Sequence, residues 1–238
     1  MYSDSLRATI FQRFSHSARF RAAQDEFCRS VKDGASVLDF GTGDGRIFEY
    51  YLERNKTCRY YGYDISKKML SQASDHVKKN VILTDNIDDL SSHKFDYISC
   101  LETLEHIPDD VVPGVIRRMK SLLSPNEVLL ISVPIESGPP SLFKQIIRMM
   151  AGQRERIATI PAILMSSVYL TGRVKRDQKD PGHTGFDFIR LRKIISSSGL
   201  RVLKTKYSPF SFGWFFVNSQ VFYIAERAKE AESLKNTL

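Results

Sequence analysis

Short runs of apolar and β-branched residues alternate along the chain with amphipathic stretches. This alternation is typical of βαβ units, in which parallel strands are joined by helices. The runs predict seven strands, at Ser36–Phe40, Arg59–Tyr63, Val81–Thr84, Phe95–Cys100, Val128–Val133, Leu200–Tyr207 and Gln220–Ala225. The last two alternate enough to pair antiparallel at a sheet edge. We therefore expect an α/β, Rossmann-like fold with a seven-stranded, mostly parallel sheet, an antiparallel edge strand and helices on both faces.

Helical periodicity fills the intervals between these strands. The predicted helices are Arg46 to about Asn55, one that starts at Ser66 and carries Met69, Leu70, Ala73 and Val77, Asp109 to Leu123 closed by Ser124-Pro125, and Phe188–Ser198 with Gly199 as its C-cap. Before the first strand, Leu6–Val31 has apolar residues at helical spacing, namely Ile10, Phe14, Ala18, Ala22 and Phe27. We expect this segment to form one or two helices over the carboxyl edge of the sheet.

The pattern predicts one domain over residues 1–238 with an interruption after the fifth strand. Its parts are an N-terminal helical cover (1–34), a cofactor-binding core (35–136), an inserted basic amphipathic lid (137–183), a C-terminal helix with two strands (184–228) and a polar tail (229–238). A chain of 238 residues is long enough to bury a sizeable core.

Charge and cysteine content narrow the class of protein. The net charge of +8 is concentrated between Ser137 and Lys206, where 14 Lys and Arg face 4 Asp and Glu. The three cysteines are isolated and odd in number, which argues against a disulfide framework. No stretch reaches the roughly 20 apolar residues of a membrane-spanning helix. These features predict a reducing, cytoplasmic setting, with the basic segment allowing peripheral contact at the inner face of the membrane.

The stretch VLDFGTGDGRI, residues 37–47, carries three glycines directly after the first strand. Glycines at the end of a strand give a ligand close access to the backbone. A dinucleotide-binding loop would need a third glycine at position 46, which is Arg46 here. Asp64 ends the second strand, where a carboxylate can accept hydrogen bonds from a ribose, and Thr84-Asp85-Asn86 ends the third, suited to the amine of a purine.

In order, the motifs DFGTGDG, Asp64, Asp85 and LETLEH (101–106) resemble those of class I S-adenosylmethionine-dependent methyltransferases. The LExLEH run followed by Ile-Pro-Asp is similar to the branch that includes the ubiquinone-pathway O-methyltransferases. The resemblance covers about Ala35 to Pro134, with a weaker pattern at His183, Phe186, Leu191 and Gly199. It departs at Pro125-Asn126-Glu127, where the family commonly has Pro-Gly-Gly.

The resemblance implies that S-adenosylmethionine is the cofactor and S-adenosylhomocysteine the product. Asp39, Gly41, Thr42 and Gly43 would hold the methionine portion, and Gly45 would open the following helix. Asp64 would bind the ribose, with Ile65 against the adenine. Asp85 would meet the adenine amine beside Asn86 and Ile87, and Leu101 and Glu102 would line the sulfonium end.

A methyl acceptor that carries a hydroxyl benefits from a base, and His106 and His183 are the histidines best placed to serve, with Glu102 as a further catalytic candidate. Each has an alternative. The glycine loop could be a bare turn, the histidines could be structural, and Glu102, Glu105 and His106 could together bind a divalent metal. Our preferred prediction includes no metal.

The acceptor is predicted to be a small molecule, lipid or glycan precursor that is O-methylated. The alternatives are N- or C-methylation, methylation of RNA or protein, and a non-catalytic cofactor-binding protein at the membrane surface. The basic lid, residues 138–180, could simply cover the active site or could rest on an anionic membrane. Nucleic acid is less favoured because the chain contains no recognisable RNA-binding module. The sequence does not predict an oligomeric state.

Overall fold

A seven-stranded sheet organises the chain in the computed structural model, which describes residues 17–54, 57–135, 186–209 and 218–228. The strands are β1 (Ser36–Phe40), β2 (Arg59–Tyr63), β3 (Val81–Thr84), β4 (Phe95–Leu101), β5 (Leu123–Pro134), β6 (Leu200–Ser208) and β7 (Gln220–Arg227). Their order across the sheet is β3-β2-β1-β4-β5-β7-β6. The first five are parallel, and β7 pairs antiparallel with both β5 and β6. The predicted fold class is confirmed.

The predicted strands differ from the observed ones chiefly at β5. We predicted that Ser124-Pro125 closes a helix, but both residues lie within the strand. Proline is tolerated there because the pairing with β4 is interrupted, with Phe95 opposite Leu123 and Tyr97 opposite Val128. Asn126 has a φ of 63° inside this irregularity. The missing backbone donor of the proline therefore falls where the β4–β5 pairing shifts register.

The last two strands pair antiparallel at the sheet edge, as predicted. The edge strand is β6, and β7 lies one position inside the sheet, antiparallel to both of its neighbours. Because β6 is antiparallel to β7, it runs in the same direction as β5. The end of β6 at Ser208 therefore lies at the same edge of the sheet as the carboxyl ends of the parallel strands.

Helices cover both faces of this sheet. They are α1 over residues 17–30, α2 (Arg46–Leu52), α3 (Lys67–Ser71), α4 (Asp75–Asn80), α5 (Val112–Leu122) and α6 (Phe188–Ser197). The helix predicted from Ser66 is divided in two, because Ser66 and Ser74 each accept a hydrogen bond as an N-cap. Asp187 caps α6 by accepting from the amides of Ile189 and Arg190. Within the described ranges no helix is long and apolar enough to cross a membrane.

The buried stripe of α1 differs from the predicted one. Phe20, Ala23, Phe27 and Val31 are buried, whereas Ala18 and Ala22 are only partly so. The side chain of Phe27 stacks on Tyr51 with 4.4 Å between ring centroids, and its ring meets Tyr97 of β4 edge to face. The helix therefore packs across a face of the sheet, and only its first residues reach the carboxyl edge. Residues 1–16, the lid at 137–183 and the tail at 229–238 lie outside the described residues, and the domain division stays a prediction.

Replacing the central aromatic anchor of α1 is expected to destabilise the protein. Phe27→Ala removes a fully buried ring, and we expect it to lower the free energy of unfolding by about 3–5 kcal/mol, measured by urea denaturation. Ile82→Ala, at a site that is 58% exposed, is the control and should cost less than about 1 kcal/mol. Equal losses in the two variants would show that α1 is not docked as described.

Candidate active site at the carboxyl ends of the strands

The glycine loop between β1 and α2 is shaped mainly by contacts within the protein. Gly41, Gly43 and Gly45 all have positive φ angles, of 79°, 59° and 71°. A Cβ atom added at Gly41 would overlap the side chain of Thr103, and one at Gly45 would lie 2.9 Å from Val77. At Gly43 the nearest atom would be the Met69 methyl at 3.5 Å. Packing within the protein thus requires glycine at positions 41 and 45, whereas a ligand could approach Gly43.

The backbone N–H groups of the loop are directed into the protein. The amides of Gly41 and Thr42 both donate to the carbonyl of Tyr63, at 2.7 and 2.9 Å, and the amide of Gly45 donates to Thr42. The amide of Gly43 donates to the carboxylate of Asp64. Because these donors are already used, the loop does not present the row of free amides that binds a pyrophosphate. This agrees with the exclusion of a dinucleotide by Arg46.

The carboxylate of Asp64 connects the loop to the end of β2. One oxygen accepts the amide of Gly43 at 2.8 Å, and the other accepts the amide of Ser66 at 2.8 Å. Each carboxylate oxygen can accept a second hydrogen bond, so Asp64 keeps capacity for a ligand hydroxyl. The next residue, Ile65, is 83% exposed. A fixed carboxylate and an exposed apolar side chain therefore lie together at the end of β2.

The predicted adenine-binding residues after β3 have separate local roles. Asp85 forms an ion pair with Lys67 at 3.3 Å. The side chain of Asn86 caps a 3-10 turn over Ile87–Leu90, accepting from the amide of Asp88. Ile87 packs partly against the core. Of these three residues, Asp85 retains an accessible carboxylate, and its side chain is 37% exposed.

Asp39 is buried beneath the loop, with 2% of its surface exposed. It accepts a hydrogen bond of 2.6 Å from the hydroxyl of Ser99 on β4. Burial raises the pKa of Asp39 to about 6, the nearby Asp64 adds to this shift, and the Ser99 hydrogen bond opposes it. Asp39 thus supports the loop from below and would act on a ligand in the cleft through its charge. Thr42, also a predicted contact, is 7% exposed.

The end of β4 brings Glu102 next to a residue that the sequence did not identify. Glu102 has a φ of 53°, unusual for a residue with a side chain, and its amide donates to the carbonyl of Ser132. Its carboxylate forms an ion pair with Arg19 of α1 at 3.2 Å. Both side chains are largely buried. Arg19 therefore belongs to the site although no motif includes it, and Leu101 beside Glu102 is 9% exposed.

The structure describes one of the two histidines predicted as bases. His106 is exposed at the end of a 3-10 turn over Leu104–His106, and His183 lies outside the described residues. Glu105 in the same turn is fully buried. Among the described residues, no group of three or more His, Cys, Asp or Glu side chains is arranged to hold a metal ion. The alternative of a metal at Glu102, Glu105 and His106 thus has no support in this geometry.

Comparison with known proteins finds a family model and relatives that match the chain. Residues 14–176 match the family model described as a methyltransferase domain. The chain is also similar to the ubiquinone biosynthesis O-methyltransferase of Actinobacillus pleuropneumoniae serotype 5b (strain L20), with 34% identity over 110 residues, which are 42% of this chain and 45% of that protein. The chain spans about half the length of the curated relatives it matches.

Solved structures share the fold at low sequence identity. The magnesium protoporphyrin IX methyltransferase of Synechocystis PCC 6803, crystallised with bound SAH, aligns with a TM-score of 0.58 and 19% identity, covering 91% of this chain and 84% of that one. An S-adenosylmethionine-dependent methyltransferase from Clostridium acetobutylicum ATCC 824 aligns with a TM-score of 0.59 and 14% identity, covering 92% and 100%. At such identities these structures establish the fold.

The raised pKa of Asp39 predicts a pH-dependent stability. The folded protein binds the proton of Asp39 more tightly than the unfolded chain does. The resulting contribution to the free energy of unfolding is therefore fully present below the ordinary pKa of 3.8 and is lost as the pH rises through about 6. Asp39→Asn keeps an acceptor for Ser99 but cannot ionise. From pH 5 to pH 8, the free energy of unfolding of the wild type should fall by about 1–2 kcal/mol relative to that of this variant, measured by chemical denaturation. If the difference in unfolding free energy between wild type and Asp39→Asn stays constant over this range, the pKa of Asp39 is not raised in the folded protein.

Proposed function

The chain belongs to the methyltransferase domain family, and from this premise we propose that it transfers a methyl group from S-adenosylmethionine to a hydroxyl group of a small-molecule acceptor, releasing S-adenosylhomocysteine. The observation that carries the proposal is the placement of Asp64. Its carboxylate is fixed by two backbone amides at the carboxyl end of β2, beside the glycine loop, and still has capacity for ribose hydroxyls.

The residues around this carboxylate fit the cofactor. S-adenosylmethionine carries a cationic sulfonium, an ammonium group and no pyrophosphate, so it does not need a loop with free amides. Two exposed apolar side chains suit an adenine ring: Ile65 follows Asp64 in the chain, and Met69 lies beside Gly43, whose amide donates to Asp64. The carboxylate of Asp39 supplies negative charge beneath the cationic end, and the carboxylate of Glu102, held by Arg19, supplies a fixed acceptor there.

Each part of the cofactor has residues proposed to hold it. Asp64 would bind the ribose, and Ile65 would pack on the adenine. Asp85 would accept from the adenine amine beside Asn86 and Ile87. The methionine portion would lie along the glycine loop, over Asp39 and toward Leu101 and Glu102. These roles follow from the family resemblance together with the positions of the residues at adjacent strand ends.

Methyl transfer from a sulfonium is an in-line displacement, in which an acceptor oxygen bonds to the methyl carbon as the carbon–sulfur bond breaks and the hydroxyl proton passes to a base. The cofactor supplies an activated methyl group, so the protein contributes mainly by positioning, which can be worth several kcal/mol, roughly 7–11 in favourable cases. The ion pair of Arg19 and Glu102 fixes a carboxylate at the end of β4. His106 and His183 stay proposed bases.

The cofactor proposal predicts a specific loss of binding at Asp64. Asp64→Asn places an amide donor against the Gly43 or Ser66 amide and removes the charge, so we expect the affinity for S-adenosylhomocysteine to fall about tenfold or more, measured by calorimetry. The control is Asp44→Asn in the same loop, whose carboxylate contacts only Arg46 in the described structure and should leave affinity within about threefold.

Two outcomes would oppose this account. Wild-type protein that binds neither S-adenosylmethionine nor S-adenosylhomocysteine would refute the proposed function. Equal affinities for wild type and Asp64→Asn would show that the cofactor lies elsewhere. Thermal unfolding of both variants checks that the loss of binding does not come from unfolding.

For the acceptor, we further propose a lipid or glycan precursor presented at an anionic membrane surface. Support comes only from the sequence, in which residues 138–180 combine apolar and basic residues and lie outside the described structure. Lys144 and Arg148 belong to this basic segment, so Lys144→Glu with Arg148→Glu should reduce co-flotation with phosphatidylglycerol liposomes at low salt. Unchanged flotation, or no flotation of wild type, would refute the membrane proposal.

A further inference from the structure

A groove of about 880 Å³ lies between α1 and the outer strands of the sheet. Its floor contains the buried side chains Leu130 of β5 and Phe222 of β7. One wall is formed by residues of α1 between Ser17 and Arg29, and the other by β6 from Lys204 to Ser208 together with Pro209. The groove therefore combines an apolar floor with polar walls, and it extends to the edge of the sheet where the active site lies.

The charges along this groove favour an anion. Its lining includes four cationic side chains and two acidic ones; they are Arg21, Arg29, Lys204 and Lys206, with Asp25 and Glu26. Glu26 is held by ion pairs with both Lys206 and Arg29. Arg21 and Lys204 are exposed and form no ion pair within the described ranges. Since Asp25 is the only other acid among the described residues of the lining, these residues carry an excess of positive charge.

Two buried polar atoms lie on the same face of the sheet, closer to the active site. Ser132 is two residues from Leu130 on β5, and Gln220 is two residues from Phe222 on β7. Because successive side chains of a strand point to opposite faces of the sheet, these four side chains lie on the face that carries the groove. Ser132 is completely buried and Gln220 is 6% exposed. Neither Oγ of Ser132 nor Oε1 of Gln220 has a hydrogen-bond partner in the described part of the chain. Buried polar atoms of this kind are rare unless a ligand or water completes them.

These features form a line that starts at the proposed transfer site. Ser132 lies beside Leu101 in the sheet, and its carbonyl accepts the amide of Glu102. On the far side, Gln220 pairs with Ser208 of β6, four residues after Lys204. Four strand residues span about 13 Å. The line therefore runs from Glu102 past the two unpartnered atoms to the cations of the groove.

We propose that this groove is the acceptor subsite, and that the acceptor is an elongated amphipathic molecule with an anionic group, a carboxylate or phosphate, about 13 Å from its hydrogen-bonding end. The inference rests on the proposed methyl transfer. Arg21 and Lys204 bind the anionic group, Leu130 and Phe222 contact the apolar portion, and Ser132 and Gln220 bind the polar end next to Glu102.

The test uses octyl phosphate as the probe, titrated by calorimetry into the full chain with S-adenosylhomocysteine present. Wild type should bind octyl phosphate at least about tenfold more tightly than octyl glucoside or inorganic phosphate. The double variant Arg21→Ala with Lys204→Ala should lose this preference. The control, Lys79→Ala with Lys193→Ala, removes the same charge from exposed sites outside the groove and should keep it.

A second probe tests the two buried polar atoms. An added terminal hydroxyl, in 8-hydroxyoctyl phosphate, should strengthen binding to wild type about threefold or more, and this gain should disappear in Ser132→Ala with Gln220→Leu. That variant should unfold at the wild-type temperature or higher, because it removes unpartnered polar atoms. A lower unfolding temperature with the hydroxyl gain intact would assign these residues a structural role and overturn this part of the proposal.

The remaining outcomes separate the inference from its premise. Normal binding of S-adenosylhomocysteine without preference for octyl phosphate would overturn the groove proposal alone. Failure to bind S-adenosylhomocysteine would overturn the methyltransferase proposal instead. Binding to phosphatidylglycerol vesicles but not to monomeric octyl phosphate would show that the cations of the groove recognise a membrane. This result would also overturn the proposal that the groove is an acceptor subsite.

Discussion

The two hydrogen bonds that Asp64 accepts from the amides of Gly43 and Ser66 hold the candidate site together. They join the loop after β1 to the end of β2, so two segments that meet only at the sheet edge become one surface. Hydrogen bonds from amides to a carboxylate are stronger than those between neutral groups. The position of the glycine loop, and of the cleft beside it, depends on these bonds together with those from the Gly41 and Thr42 amides to the Tyr63 carbonyl.

This arrangement also explains what the loop can recognise. Its donors are used by Tyr63, Thr42 and Asp64, so it offers shape and negative surroundings in place of free amides. Asp39 below and the Arg19–Glu102 pair at the end of β4 extend this polar environment along adjacent strand ends. A cationic ligand without phosphates suits such a site, and the neighbouring basic groove suits a ligand of opposite charge.

The parts that sequence could predict are local ones. The bounds of β1, β2 and β3 agree with their apolar runs, and Asp64 was predicted as a site residue because a strand end and a motif coincide. The buried stripe of α1 was predicted only in part: Phe27 is buried and Ala22 packs against the core, but Phe20 and Ala23 were missed. Alanine is compatible with either side of a helix, and the buried side is chosen by the packing of Phe27 on Tyr51 and Tyr97. Arg19 was missed because its contact with Glu102 joins residues far apart in sequence.

The central claim is that Asp64 supports the loop and binds the cofactor ribose with the same carboxylate. A crystal structure of the protein with S-adenosylhomocysteine tests it most directly. We predict that the hydrogen bond from the Gly43 amide to Asp64 is retained near 2.8 Å. We also predict that the ribose hydroxyls lie within hydrogen-bond distance of the oxygens of that carboxylate. A cofactor bound elsewhere, or an Asp64 side chain turned away from the loop, would contradict the account.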